Sequence, residues 1–341
     1  MLIKPEPLNY GDTLGVVAPA SAPPDPRAID YSVEVIEKLG FKVKLGRNVR
    51  KRLGFLAGSD RERAADLMRM FTDRAVKGIL CVRGGYGTAR LLPLLDYQRI
   101  RANPKVLVGY SDITSLQFAL LKKANLVSFH GPMLNSDFVR EKLPRFTLGS
   151  FLHNVMSPEP AGSILKGHQR STIGMIRKGR ASGQLVGGNL SLICTTLATP
   201  YQVSFRGKIL FLEDLDEPPY RFDRMLTHLL NAGLLQQVAG IAIGTNANCE
   251  DPKAKGAKEY RQTLDDVLKE RLNPLGIPVV SGFPFGHVSL NATLPLGVRA
   301  TLDGVKGDLV IDEAGVKPAA KNKTLPPRSP LLAPRRGRRG A

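Results

Sequence analysis

The sequence predicts an α/β protein built around a parallel sheet. Three features of residues 1–130 carry that expectation. Short apolar, β-rich runs recur at 14–18, 78–82 and 106–108. Glycine follows closely on the runs at 78–82 and 106–108, and segments of helical period come next, the rhythm of βαβ units. In sheets of this kind, reactive groups gather beyond the carboxyl ends of the strands.

Taken in order, residues 14–18 form a short buried strand, and 28–39 have helical spacing that ends at Gly40. Residues 41–45 alternate as a strand does. Ser59 and Glu62 have the spacing of a capping box, opening a helix that runs to about residue 72. Residues 131–180, with Pro144, Pro158, Pro160 and several glycines, read as an irregular connection. Beyond Gly183 the spacing predicts helices over 189–198, 222–230 and 260–272. Strands are expected at 208–212, 240–244, 278–280 and 298–302. The organisation that follows is a nucleophile-bearing unit over 1–135, a linker over 136–182 and a second unit over 183–314. A basic tail, expected to be disordered, covers 315–341.

Composition bounds the function classes. The N-terminus shows no basic stretch leading into an apolar run, as a signal peptide would, and no apolar segment approaches the roughly 18–20 residues that span a bilayer. Cys81, Cys194 and Cys249 lack the C-x-x-C spacing of metal or redox sites, and an odd count suits a reducing compartment. The expectation is a cytoplasmic protein without membrane contact. Net charge is +19, but the tail alone holds eight unopposed positive charges, which leaves +11 on the rest. The tail is either a solubilising extension or an arm making weak, non-specific contact with a polyanion.

Four segments carry chemistry, each at the end of an expected strand or in a tight loop. In Gly109-Tyr110-Ser111-Asp112, an apolar strand runs directly into a helical pattern. Ser111 therefore sits either at a nucleophile elbow or in a simple helix cap. The motif departs from G-x-S-x-G because Ile113 stands where the second glycine would be. Arg83-Gly84-Gly85-Tyr86-Gly87 is a glycine-rich turn able to aim backbone N–H groups at an anion. It lacks a complete G-x-G-x-x-G, so no nucleotide cofactor is expected. In Leu210-Phe211-Leu212-Glu213-Asp214, a strand ends in acids. Glu213 is either a fixed partner for a catalytic group or part of an acidic loop paired with Arg221 and Arg224. Glu217, before two prolines, is expected on a more exposed loop. No H-E-x-x-H occurs, and no metal is expected. His287, after Phe285-Gly286, lies in a tight loop, whereas His130 ends an apolar strand and reads as structural. Together the segments supply a nucleophile, a base, an orienting acid and anion-binding glycines, the components of acyl transfer.

The four motifs, in this order, resemble the LD-carboxypeptidase family of serine peptidases over residues 8–312. That family includes murein tetrapeptide carboxypeptidases and microcin C self-immunity hydrolases. The resemblance implies Ser111 as nucleophile, Glu213 as triad acid and His287 as base, with an oxyanion hole from the Gly85 and Asp112 N–H groups. It implies a Rossmann-like or flavodoxin-like N-terminal layer, a β-rich α/β C-terminal domain, and a homodimer. The implied reaction is hydrolysis of the amide before the terminal D-Ala of a muropeptide, as in peptidoglycan recycling. Asn189, in Gly187-Gly188-Asn189, is either a substrate contact or a helix N-cap. Two alternatives compete. One is a self-immunity-type amide hydrolase acting on a peptidyl-nucleotide or acyl-sulfamate. The other is a nucleic-acid-binding protein on an inactive hydrolase fold, against which intact Ser111, Glu213 and His287 stand.

Deleting residues 318–341 is expected to leave folding and peptide hydrolysis intact and to weaken only salt-sensitive association with polyanions. Melting curves and peptide assays on both lengths at matched salt check this; a large fall in either would show that the tail belongs to the body.

Overall fold

The computed structural model describes residues 1–139, 143–250 and 262–318. Its first sheet contains β1 (Thr13–Val17), β2 (Lys42–Leu45), β3 (Val76–Cys81), β4 (Val106–Gly109) and β5 (Phe129–His130). These five strands are mutually parallel in the order β2-β1-β3-β4-β5. That is the flavodoxin-like order, whose topological switch lies between β1 and β3. Helices α1 (Ala28–Lys38), α2 (Asp60–Thr72), α3 (Tyr97–Ala102) and α4 (Ile113–Ala119) connect the strands. The Ser59–Glu62 capping box forms as expected.

The connecting segment is more ordered than its prolines suggested. It holds α5 (Arg145–Met156) and two short strands, β6 (Gly162–Ser163) and β7 (Gly174–Arg177). Pro144 and Pro158 look like breakers but merely bracket α5, with Pro144 at its N-cap. Leu148, Phe151, Leu152 and Val155 supply a buried stripe at helical spacing inside that frame.

The second sheet adds β8 (Arg180–Asn189), β9 (Ile209–Glu213), β10 (Gly240–Gly244) and β11 (Val279–Phe283), which run parallel in that order. Helices α6 (Leu190–Thr196), α7 (Pro219–Asn231) and α8 (Leu264–Leu272) lie between them in sequence. Residues 260 and 261 of the helix expected at 260–272 lie outside the described residues. The short strand β12 (Leu294–Pro295) leaves this region and pairs antiparallel with β5 of the first sheet. Strands β13 (Arg299–Asp303) and β14 (Asp308–Ile311) then return to the second sheet, on the far side of β8 from β9. One apolar core runs through both sheets, from Val16, Val108 and Phe129 to Leu185, Phe211, Ile241 and Val279. No helix among the described residues is long and apolar enough to cross a membrane.

The first residues assigned to the tail lie against the body. Val316 is buried, the Lys317 N–H donates to the Pro5 carbonyl at 2.8 Å, and the Lys317 ammonium meets Glu6 at 2.7 Å. The remainder of the tail, 319–341, lies outside the described residues.

Arg63, on α2, ties the strand-end loops together and is only 2 % exposed. Its guanidinium donates to the Pro19 carbonyl after β1, to the Gly87 carbonyl after β3 (3.0 Å) and to Asp60. An apolar residue here strands buried carbonyls, each costing roughly 1–3 kcal/mol. Arg63→Met is therefore expected to lower Tm by about 5 °C or more. A thermal melt within 2 °C of wild type would show that the clamp does not hold these loops.

Candidate active site

Strand β4 ends at Gly109, and two residues later Ser111 has φ +63°, the left-handed region that a non-glycine residue occupies only when its surroundings impose it. Helix α4 starts at Ile113, so Ser111 occupies the strand-to-helix elbow rather than the helix cap. The missing second glycine has a local explanation. A Cβ on Gly109 would come within 2.9 Å of the Ile113 side chain, so the bare residue before the serine makes room for the bulky one after it. Gly84 faces the elbow from the loop after β3. A Cβ there would lie 2.7 Å from Ser111 Cβ and 3.2 Å from the Asp112 nitrogen, so only glycine lets the two loops approach this closely.

Side chains lock this arrangement. Asp112 is buried, and its carboxylate accepts from the Thr88 N–H (2.8 Å) and the Thr88 hydroxyl, which joins the elbow to the glycine loop. Burial raises the Asp112 carboxyl above the usual range, against the pull of the Thr88 hydrogen bonds and the Arg63 charge. Ser21, beyond β1, accepts from the Tyr86 N–H at 3.1 Å and holds the other end of the turn. The Gly85 and Asp112 N–H groups donate to no protein acceptor among the described residues, so both are available to a ligand.

The second sheet brings the other half. Glu213 ends β9 with no exposed surface, and its Oε2 accepts from His287 Nδ1 at 2.7 Å. His287 follows β11 in a loop held by Asn291, whose Oδ1 accepts from the Gly286 N–H at 3.2 Å. Burial disfavours the imidazolium. The Glu213 hydrogen bond and charge, with help from Asp214 and Asp137, outweigh it and raise the His287 pKa. The Tyr110 ring meets His287 edge-on with centroids 5.0 Å apart, so the elbow and the imidazole pack directly. His287 Nε2 makes no protein hydrogen bond among the described residues, including to Ser111. Catalytic hydrogen bonds often tighten only when substrate is bound.

Ser111, Gly85 and His287 line one cleft of about 310 Å³, together with Arg83, Asn189, Asp214 and Glu217. Asn189 caps α6, its Oδ1 accepting from the Leu192 N–H at 3.2 Å, and its amide donates to Asp214 at 2.8 Å. The helix-cap alternative is thus realised, though the residue also faces the cleft. Asp214 was not singled out from sequence. It takes up four donors, from Asn189, Leu215 and the Ser191 N–H and hydroxyl. Burial, with the Glu213 charge adding to it, raises its carboxyl. Glu217 lies at the cleft, 3.5 Å from Arg221, while Arg224 stacks on Tyr220 instead of pairing with the acids. His130 is fully buried against Tyr110 and Phe211, and burial pushes it down to about 3, so it stays neutral. Among the described residues, no three His, Cys, Asp or Glu side chains gather as a metal site.

Comparison with known proteins finds one family across both halves of the chain. Residues 14–131 match the LD-carboxypeptidase N-terminal domain, and 182–302 match the LD-carboxypeptidase C-terminal domain. The probable murein peptide carboxypeptidase of Bacillus subtilis (strain 168) is 42% identical over 317 residues, covering 93% of this chain and 96% of that protein. The crystal structure of muramoyltetrapeptide carboxypeptidase from Oxalobacter formigenes superimposes with a TM-score of 0.76 at 33% identity, over 90% of this chain and 100% of that one. The structure of MccF in complex with glutamyl sulfamoyl guanosine gives 0.83 at 26% identity, over 92% and 99%.

The titration of His287 tests the geometry independently of any substrate. Its imidazole is expected to titrate above the ordinary value of about 6.5. In Glu213→Gln the carboxylate is gone while burial and the pull of Asp214 and Asp137 remain, so the midpoint falls below that of wild type. An NMR titration showing the same midpoint in both proteins would dissociate the two side chains.

Proposed function

The chain belongs to the LD-carboxypeptidase family, and from that membership and the cleft we propose a serine carboxypeptidase that removes the terminal D-Ala of murein tetrapeptide. The observation that carries the mechanism is the convergence of an elbow serine and a carboxylate-held histidine on one cleft. His287 Nε2 takes the Ser111 proton as Oγ adds to the scissile carbonyl. Glu213 holds the ring by Nδ1 and stabilises the imidazolium. The Gly85 and Asp112 N–H groups receive the oxyanion, each donor worth roughly 3–4 kcal/mol in comparable sites. His287 then protonates the departing D-Ala amine, and the Ser111 acyl-enzyme is hydrolysed by water that the same imidazole activates.

The murein reading draws support from the 42% identity to a probable murein peptide carboxypeptidase and from the structural likeness to a muramoyltetrapeptide carboxypeptidase. We place the reaction in peptidoglycan recycling in the cytoplasm. A self-immunity-type hydrolase acting on an acyl-sulfamate is the second reading. The likeness to MccF bound to glutamyl sulfamoyl guanosine favours it, at the lower identity of 26%.

Incubation with murein tetrapeptide and with an aminoacyl-sulfamate, followed by mass spectrometry, separates the readings. Loss of one D-Ala is expected from the peptide. Ser111→Ala is expected to lower the rate by about 10⁴–10⁶-fold while leaving the fold intact. Glu213→Gln should cost at least about 100-fold, and Glu217→Gln less than about tenfold. Tetrapeptide left whole beside a hydrolysed sulfamate would transfer the assignment to the second reading.

A further inference from the structure

We propose that Arg83 recognises the terminal carboxylate of the substrate and thereby makes this site an exopeptidase. The inference rests on the carboxypeptidase reading and names the group that enforces it.

Arg83 opens the loop after β3, one residue before Gly84, the glycine that lies against Ser111. It lines the same cleft as Ser111, Gly85 and His287. The other charged side chains of that cleft have partners. Asp214 is surrounded by four donors, His287 is held by Glu213, and Glu217 faces Arg221. Arg83 forms no ion pair among the described residues, and its single hydrogen bond is a long one, 3.4 Å to the Ala22 carbonyl. Arg83 lines the cleft of the reactive serine, and its permanently charged guanidinium, left among the described residues with one weak neutral acceptor, has its remaining donors free for an anion.

The chemistry of the reaction says which anion. When a peptide loses its last residue, the scissile nitrogen and the terminal carboxylate are separated by a single Cα. The carboxylate must therefore sit within one residue's length of the groups that receive the oxyanion. Arg83 is two positions before Gly85 in the chain, on the loop that supplies one of those N–H groups. A guanidinium fork matches a carboxylate with two parallel hydrogen bonds, whereas a terminal amide presents no charge to it.

The test compares murein tetrapeptide with a free C-terminus and the same peptide amidated at its terminal D-Ala, on wild type, Arg83→Gln and Arg83→Lys. Wild type is expected to prefer the free acid by about 100-fold in kcat/KM, in line with a charged hydrogen-bonded contact. Arg83→Gln should lose that factor on the free acid, chiefly through KM, and change less than about threefold on the amide. Arg83→Lys, which keeps the charge without the fork, should fall between them. If Arg83→Gln does not fold, unchanged discrimination by Arg83→Lys overturns the proposal and reduced discrimination supports it. Equal losses on both peptides, or full discrimination in Arg83→Gln, would overturn it while leaving the carboxypeptidase reading in place. A wild-type enzyme inert on the tetrapeptide would remove both.

Discussion

The Glu213–His287 hydrogen bond is the contact around which the rest of the site is arranged. A carboxyl group without any exposed surface needs a hydrogen-bond partner, and among the described residues this one has His287 alone, at 2.7 Å, with its second oxygen unpaired. That arrangement binds the imidazole in one orientation, because any rotation of His287 leaves the acid buried alone. It also selects the tautomer: Nδ1 carries the proton toward Glu213, and Nε2 is left toward the cleft. The strand supplies the rigidity. Glu213 is the last residue of β9, between β8 and β10, so its backbone cannot retreat from the histidine.

The Ser111 side answers a different constraint, that of backbone conformation. Ser111 at φ +63° is stable only if its neighbours hold it there. Asp112 gripping Thr88, Arg63 gripping the carbonyls of Pro19 and Gly87, and Gly84 yielding space together provide that hold. All of these contacts join carboxyl ends of first-sheet strands. The two halves of the site then meet through direct packing. Tyr110 touches His287, and the Asn189 N–H at the end of β8 donates to Thr114 Oγ1 on α4 at 3.1 Å. The candidate site is thus an interface between the parallel strands of two sheets, whose carboxyl ends converge.

The main framework was legible in the linear pattern because each clue was local. Apolar runs ending in Gly-Tyr-Ser-Asp or in Glu-Asp mark strand ends whatever the rest of the chain does. The capping box at Ser59 is likewise a four-residue signal. Helix α5 escaped because its two bracketing prolines dominate a short window, while its buried stripe is apparent only once a partner surface for Leu148, Phe151 and Val155 is known. Asp214 escaped for a similar reason. Beside Glu213 it reads as one more acid of a solvated cluster, and only the arrival of Asn189 and Ser191 from β8 and α6 shows it buried and saturated.

What the amino-acid sequence determined alone was the kind of fold, the order of the strand ends and the identity of the groups carried on them. Those are properties of neighbours in the chain, set by side-chain period and by steric restrictions on a few residues. Tertiary structure decided which acid of 213–217 reaches the histidine, that Asn189 caps α6 and holds Asp214, and that Arg83 is left without an ion-pair partner among the described residues. The longest of these contacts joins segments 74 residues apart in the chain. A hydrogen bond's partner is chosen by distance in space, and no local pattern encodes that distance.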